Sequence, residues 1–485
     1  MSKFISNVMS LFSASLLALI LGVILSPVLS RLYSPEDFGI FQLFFSIVSL
    51  IAVVACLSYQ SAINLPKKDE DAANIVVLCV CLVGITALIS TTILFIFSGT
   101  VAEMLNSPSL SDYLFMVPVA VIVNCFAYIT GYWLSRKKQF GTIATANLVS
   151  SITGKTVSIG SGFLSPSPYG LIVGTIINDA TIFLIGLRKI IPDLSLFQNV
   201  SYEKVRQQAI LYKKFPQFSN PAQLASSAAS QSLPFLLAFS FSPIVVGYYS
   251  MTFLLVQMPS KLVGNALHSV FYQKASEEKH RTGSITHVVK AVHTRLISGG
   301  MIFFLILMII GPELFEFFLG SQWKISGVYV QILSPWIFLV FISVPLGLIF
   351  NVLEKQGADL GFNIVLLISR IFAVLIAGFF GDPILCMVLL SISGVFFWGW
   401  MNIYLLKLAG VSVLDSLGDI LLFLSLGILV SLPLIVVKIL SLSLLLTFSI
   451  AIVVTIAYYL IVVYQDPQLK EGLVHFITNI MPKKE

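Results

Sequence analysis

Four ionisable side chains, Lys155, Asp179, Lys261 and Arg370, sit inside long apolar runs. Each would cost roughly 2.5–3.5 kcal/mol at the centre of a lipid-facing helix, so each needs a partner, water or a ligand. At helical rise, Lys155 and Asp179 lie about 14 Å inside the same ends of their runs, depths that suit a neutralising pair. Lys261 and Arg370 lie about 15 Å from a run end, with no acidic residue at matching depth. Two readings stay open for them. Their stems snorkel to the headgroups, or their charges face a cavity and meet an anionic substrate such as a diphosphate. Arg31, at the end of the first run, either extends that cationic track or anchors to headgroups.

A second set of residues could bind polar ligands. The first run opens with Ser6, Asn7, Ser10, Ser13 and Ser15 and is broken by Pro27; the seventh carries Asn220, Gln223, Gln231 and five serines, with Pro221 and Pro234. Corresponding Pro-broken, polar helices in two halves mark a transporter's site. Helix–helix glue is the alternative, since hydroxyl residues also line packed interfaces. The number of amides favours a cavity lining, with Asn7, Asn220, Gln223 and Gln231 as substrate-binding candidates.

Other chemistry is not expected. There is no Gly-x-x-x-x-Gly-Lys-Ser/Thr stretch, which leaves a proton or sodium gradient, or consumption of the product, to drive any transport. His280, His287 and His293 are spaced by seven and six, which does not put them on one helical face as a metal pair requires. No catalytic residue, metal or cofactor is assigned. Trp133, Trp336, Trp398 and Trp400 read as interfacial belts or, less readily, as sugar-stacking rings.

The elements that must position these residues are membrane helices. Of the 485 residues 57% are hydrophobic and 10% charged, where a soluble domain carries about a quarter charged residues. About fourteen runs of spanning length predict an all-α polytopic membrane protein, in contact with the bilayer throughout. Six runs fall in 1–187 and six in 218–406, joined by a connector over 188–217. Two more fall in 407–485. The first run, Met9 to Ser30, is too long for a signal segment and is expected to stay as a span. All five cysteines fall inside runs and read as packing residues. In the connector, Ser201 followed by Glu203 predicts a short capped interfacial helix, either a hinge or a plain linker.

With the N-terminus placed in the cytoplasm, 22 of the 28 lysines and arginines lie in connections on the inner side. Arg31, Lys324 and Lys438 lie outside. By the positive-inside rule both termini are cytoplasmic. The net charge of +6 therefore reports topology, not nucleic-acid binding. An internal repeat is also visible. Tyr33-Ser-Pro-x-x-x-Gly-x-Phe41 and Phe241-Ser-Pro-x-x-x-Gly-x-Tyr249 stand 208 residues apart, at the same place in each set of six. An even number of helices per set makes the halves parallel repeats, with substrate between them.

The passage from Arg31 to Phe41, Asn64-Leu-Pro-Lys-Lys-Asp69, and Tyr212-Lys-Lys-Phe-Pro216 resemble the polysaccharide biosynthesis flippases, translocases of O-antigen and capsule repeat units within the multidrug/oligosaccharidyl-lipid/polysaccharide exporter superfamily. The resemblance implies two six-helix lobes, a central cationic cavity, and alternating access. It implies an undecaprenyl-diphosphate-linked oligosaccharide as cargo, flipped from cytoplasm to periplasm across the bacterial inner membrane. A polysaccharide polymerase and a chain-length regulator would be its partners. Three alternatives remain: a drug exporter with acidic cavity residues, a lipid II exporter, and a membrane glycan polymerase or ligase, for which the outer connections look short.

Overall fold

The structure is a computed structural model that describes residues 17, 20–259, 277–278, 281, 284–352 and 356–465. Among them the regular elements are helices and no strand occurs. The principal helices are α1 (Ile20–Leu32), α2 (Pro35–Ala55), α3 (Asp69–Met104), α4 (Val117–Arg136), α5 (Phe140–Leu164), α6 (Pro168–Ile190) and α7 (Tyr202–Leu211). They continue as α8 (Asn220–Ser240), α9 (Pro243–Val256), α10 (Thr286–Leu319), α11 (Lys324–Ser343), α12 (Gln356–Phe380), α13 (Pro383–Leu408), α14 (Val413–Ile439) and α15 (Leu444–Gln465).

Among the described residues a helix overlaps each apolar run, α1 and α9 over only part of theirs, and α7 lies in the connector. Ten helices among the described residues are long and apolar enough to cross a membrane, since about 20 apolar residues span the hydrocarbon. α1 and α9 are shorter apolar helices. α5 and α8 are diluted by hydroxyls, amides and, in α5, by Lys155. The chain is a multi-pass membrane protein. Asn7 and Lys261 lie outside the described residues.

The chain divides into two compact units, one of residues 1–255, 318–323 and 374–383, the other of 256–317, 324–373 and 384–485. In the first unit, α2 starts at a capping box. The Ser34 hydroxyl accepts from Asp37 N, and Asp37 Oδ2 accepts from Ser34 N at 2.8 Å, with Pro35 opening the helix. The two copies of the repeat meet. A Cβ on Gly39 would run into Pro243 O and come within 3.2 Å of Gly247 N. One on Gly247 would run into Pro35 O and come within 3.1 Å of Gly39 N. The strap 318–323 lies against this crossing. The Trp323 indole donates to Ser30 O (2.8 Å), Ser30 Oγ donates to Leu319 O (2.9 Å), and the Trp323 ring stands edge-on to Phe38 and Tyr248.

α5 and α6 pack backbone to backbone where Gly154 meets Gly174, and Thr153 and Thr181 share a hydrogen bond of 3.1 Å beside that contact. At the basic end of the unit, Asp69 bridges Arg136 (2.8 Å) and Lys137 (2.7 Å), and Lys137 also reaches Asp193 (3.4 Å). Burial works against the Lys137 ammonium, but hydrogen bonding and attraction from Asp69 and Asp193 outweigh it and hold its pKa above the usual value. Trp133 does not sit in an interfacial belt. It is 1% exposed and its indole donates to Asp193, because its position on α4 turns inward. The connector helix α7 forms as its sequence predicts, with Ser201 Oγ accepting from Lys204 N.

In the second unit, α10 kinks at Ile310 (φ −121°, ψ 22°), two residues before Pro312. Leu346, Ile349, Leu405 and Val289 belong to its apolar core. A polar chain runs through the same helices: His293, 1% exposed, hydrogen-bonds Asn402 Oδ1 and Ser416 Oγ (both 3.2 Å), and Asn402 Nδ2 donates to Ser343 Oγ (3.0 Å).

Candidate functional site

α2, α4, α6, α8 and the turn Tyr59–Asn64 enclose a cavity of about 400 Å³ in the first unit. α8 contributes Gln223, Ser227 and Gln231, spaced by four so that they share one helical face. α4 contributes Asn124, Tyr128 and Tyr132 at the same spacing, and α6 contributes Thr175 and Asp179. Phe41, Phe44 and Phe45 of α2 supply an apolar wall, and the turn supplies Ser58, Gln60 and Ser61. A neighbouring cavity of about 440 Å³, between α4, α5 and α6, shares Asn124, Tyr128, Tyr132 and Asp179 with the first.

The polar groups hold one another in part. Asn124 Nδ2 donates to Asp179 Oδ2 at 2.8 Å, Ser61 Oγ donates to Tyr132 OH at 3.3 Å, and Ser46 Oγ donates to Gln231 Oε1 at 3.1 Å. Asn220 anchors the start of α8, its amide donating to Val53 O (2.7 Å) at the end of α2. From residue 221 to 230, α8 is exposed or half-exposed at every position and carries no charge. Within a membrane bundle, such a face of serine, alanine and glutamine belongs against water.

The structure thus brings together Asp179, Gln223 and Gln231, with Asn220 hydrogen-bonded at the edge of the same cavity. It does not bring the cations there. Lys155 lies half-buried on α5, lines neither cavity, and forms no ion pair with Asp179, whose partner is Asn124. Arg31 is exposed at the end of α1. Arg370 belongs to the second unit, its guanidinium 5.5 Å from the centroid of the Trp336 ring. Among the described lining residues of the first cavity, Asp179 is the one acidic side chain and no lysine, arginine or histidine occurs. Sequence reasoning missed Gln60, Asn124, Tyr128 and Tyr132. For the last three the signal was present: an amide and two phenols at i, i+4 and i+8 make a polar stripe along an apolar helix.

A multi-helix membrane bundle whose inner helix faces are amide- and hydroxyl-lined over a cavity has the build of a transporter. Residues 28–327 match the family described as polysaccharide biosynthesis protein, and the chain belongs to that family. Among solved structures, the lipid II flippase MurJ in an inward closed conformation is similar over 95% of this chain and 99% of that one, with a TM-score of 0.70 at 15% identity. An inward-facing multidrug resistance MATE family transporter of the MOP superfamily is similar over 83% of this chain and 96% of the other, with a TM-score of 0.58 at 17% identity. A mutant of the Vibrio cholerae MATE transporter VcmN follows, over 84% and 96%, with a TM-score of 0.51 at 14% identity. At these identities the likeness is one of fold. No curated protein matches in sequence.

Proposed function

We propose that this chain is a flippase that carries an oligosaccharide linked to undecaprenyl diphosphate from the cytoplasmic to the periplasmic leaflet of the bacterial inner membrane. It would do so by alternating access, for O-antigen or another surface polysaccharide. The observation that carries the reading is the uncharged, exposed half of α8, whose Gln223, Ser227 and Gln231 line the cavity. A glycan is a dense array of hydroxyls that both donate and accept, and a stripe of amides and hydroxyls answers it without the cost of burying an unpaired charge. In this reading the diphosphate is met by basic side chains away from that cavity, with Arg31, Lys155, Lys261 and Arg370 as the candidates, and a proton or sodium gradient drives the cycle.

A second reading, export of organic cations, rests on Asp179, an acidic cavity residue of the kind a drug exporter requires. Deleting the gene and locating undecaprenyl-diphosphate-linked glycans by leaflet separates the two. Complete repeat units trapped on the cytoplasmic leaflet establish the flippase. Units reaching the periplasmic leaflet, with the deletion strain sensitised to cationic dyes, establish the exporter instead.

A further inference from the structure

The connector between α6 and α8 carries a surface that the cavity does not use. It leaves α6 through the turn Ile191–Phe197, forms α7, and rejoins the bundle at α8. Both of its arms are fastened to the first unit. In the turn, Asp193 accepts from the Trp133 indole (3.0 Å) and pairs with Lys137 (3.4 Å). On α7, the carbonyl of Ala209 accepts from Tyr59 OH (2.9 Å), which belongs to the turn joining α2 to α3. These bonds hold α7 level with the ends of spans, the depth at which lipid headgroups lie. They also hold it at the rim. α7 packs on α3, a helix that lines neither cavity and exposes Ile85, Leu88 and Phe95 along its length, as a span at the lipid boundary does.

The two faces of α7 differ. Val205 and Ala209, four residues apart, are half-buried. Tyr202, Arg206 and Ile210, at the same spacing, are exposed, the tyrosine by 84% and the isoleucine by 56%. Lys213 and Lys214 follow just past the helix end, both exposed. Among the described residues Arg206, Lys213 and Lys214 form no ion pair. Glu203 is the one carboxylate on α7, and Asp193, the other in 188–217, is already paired. The segment carries six lysines and arginines against these two.

The positive-inside bias accounts for the charge, and water would satisfy it. Water does not satisfy the ring and the aliphatic chain on either side of Arg206. Apolar side chains interleaved with basic ones make the surface that settles between headgroups and acyl chains. Tyrosine is at home there, with its ring at the apolar edge and its hydroxyl in water.

We infer that the exposed face of α7, with Lys213 and Lys214, is a docking surface for the headgroups of anionic phospholipid in the leaflet at this end of the bundle. The inference goes beyond the cargo and holds for a glycan or an organic cation alike. Each cation at such a surface strengthens the hold of anionic lipid about fivefold.

The test is hydrogen–deuterium exchange of the full chain in nanodiscs of phosphatidylcholine, with and without phosphatidylglycerol. Docking opposes the local opening that exchange requires, so amides across 202–214 are expected to exchange about fivefold or more slowly with phosphatidylglycerol present. The slowing should fade as salt rises. Replacing all three cations, Arg206→Gln with Lys213→Gln and Lys214→Gln, is expected to abolish the difference between the two bilayers. Tyr202→Ser with Ile210→Ser is expected to speed exchange in both, because the apolar part of the contact does not depend on headgroup charge. Exchange along α4 and α6, read in the same spectra, reports a folding defect, and the comparison of bilayers on the wild-type chain stands without any variant. The proposal is overturned if the wild-type chain exchanges equally in the two bilayers, or if the slowing survives the triple substitution. It is also overturned if inorganic phosphate or polyglutamate, at matched ionic strength, gives the same slowing in phosphatidylcholine alone. Those results would assign the surface to a free anion or to an acidic protein.

Discussion

Gly39 and Gly247 occupy the same place in two copies of one motif, and each presses its Cα against the helix start of the other. The carbonyl of Pro243 fills the space a Gly39 side chain would need, and that of Pro35 fills the space of a Gly247 side chain. Reciprocal contact of this kind is what a two-fold axis through the crossing produces. Gly39→Ala and Gly247→Ala should each destabilise the purified protein by about 1–3 kcal/mol through overpacking. Thermal unfolding in detergent checks this. The double variant should lose less than the two singles together, because helices already forced apart accommodate the second methyl; full additivity would mean that the two glycines do not share one contact.

Trp323 ties the strap 318–323 to the end of α1. Trp323→Ala should cost about 3–5 kcal/mol, the range for emptying a large buried aromatic site. Trp323→Phe removes the hydrogen bond to Ser30 O but keeps the ring, and Gln322 also donates to that carbonyl. Its cost should be about 0.5–1.5 kcal/mol. Equal losses in the two variants would show that the hydrogen bond, not the ring, holds the strap.

At the basic end, Asp69 is the carboxylate shared by Arg136 and Lys137, but its side chain is 40% exposed. Screening by solvent limits what Asp69→Asn can remove to about 0.5–1 kcal/mol. The difference from wild type should shrink as salt rises. A salt-independent loss would place the effect in the buried side of Arg136, whose guanidinium also donates to Ile63 O.

The buried chain in the second unit fixes a tautomer. Asn402 spends its Nδ2 on Ser343 Oγ, so Oδ1 is the atom facing His293, and His293 Nε2 carries the hydrogen. Nδ1 then accepts from Ser416. His293→Ala leaves two polar partners unsatisfied in the core and should cost about 2–3 kcal/mol. The double variant with Asn402→Ala should cost less than the sum, as coupled pairs do. Additive losses would dissolve the network into separate contacts.

Arg370→Ala and Lys261→Ala should each lower transport of the lipid-linked glycan about tenfold or more if the cations meet the anionic linkage. Protein levels in the membrane should be unchanged. Arg370→Lys should rescue only in part, because lysine cannot lay a planar guanidinium over Trp336. Normal transport by both alanine variants would remove the cationic contact from the mechanism.

The helices were legible in the sequence because apolar run length and the placement of Pro, Gly and charge are local properties. Side-chain partners were not. Equal depth made Lys155 and Asp179 look like a pair, but depth says nothing about which way a residue faces around its helix, and Asp179 turns toward Asn124. Trp133 shows the same limit. Its place near a helix end suggested an interface, whereas its azimuth put it inside, on Asp193. The polar face of α8 was visible because so many amides and hydroxyls crowd one run beside two prolines. The stripe of Asn124, Tyr128 and Tyr132 holds too few polar groups for that, and its signal is the spacing by four.

The passage from Arg31 to Phe41 is one of three by which this chain resembles its family, and nearly every residue from Tyr33 to Gly39 has a structural task. Tyr33 OH donates to Ser158 O, Ser34 and Asp37 cap α2, Pro35 lends its carbonyl to the crossing, Phe38 meets Trp323, and Gly39 lets α9 approach. None of these residues lines the cavity. A search keyed on this signature therefore sorts chains chiefly by how they are assembled, since within it Phe41 alone reaches the cavity wall; cargo must be read from positions such as 60, 124, 128 and 179, which the signature does not contain.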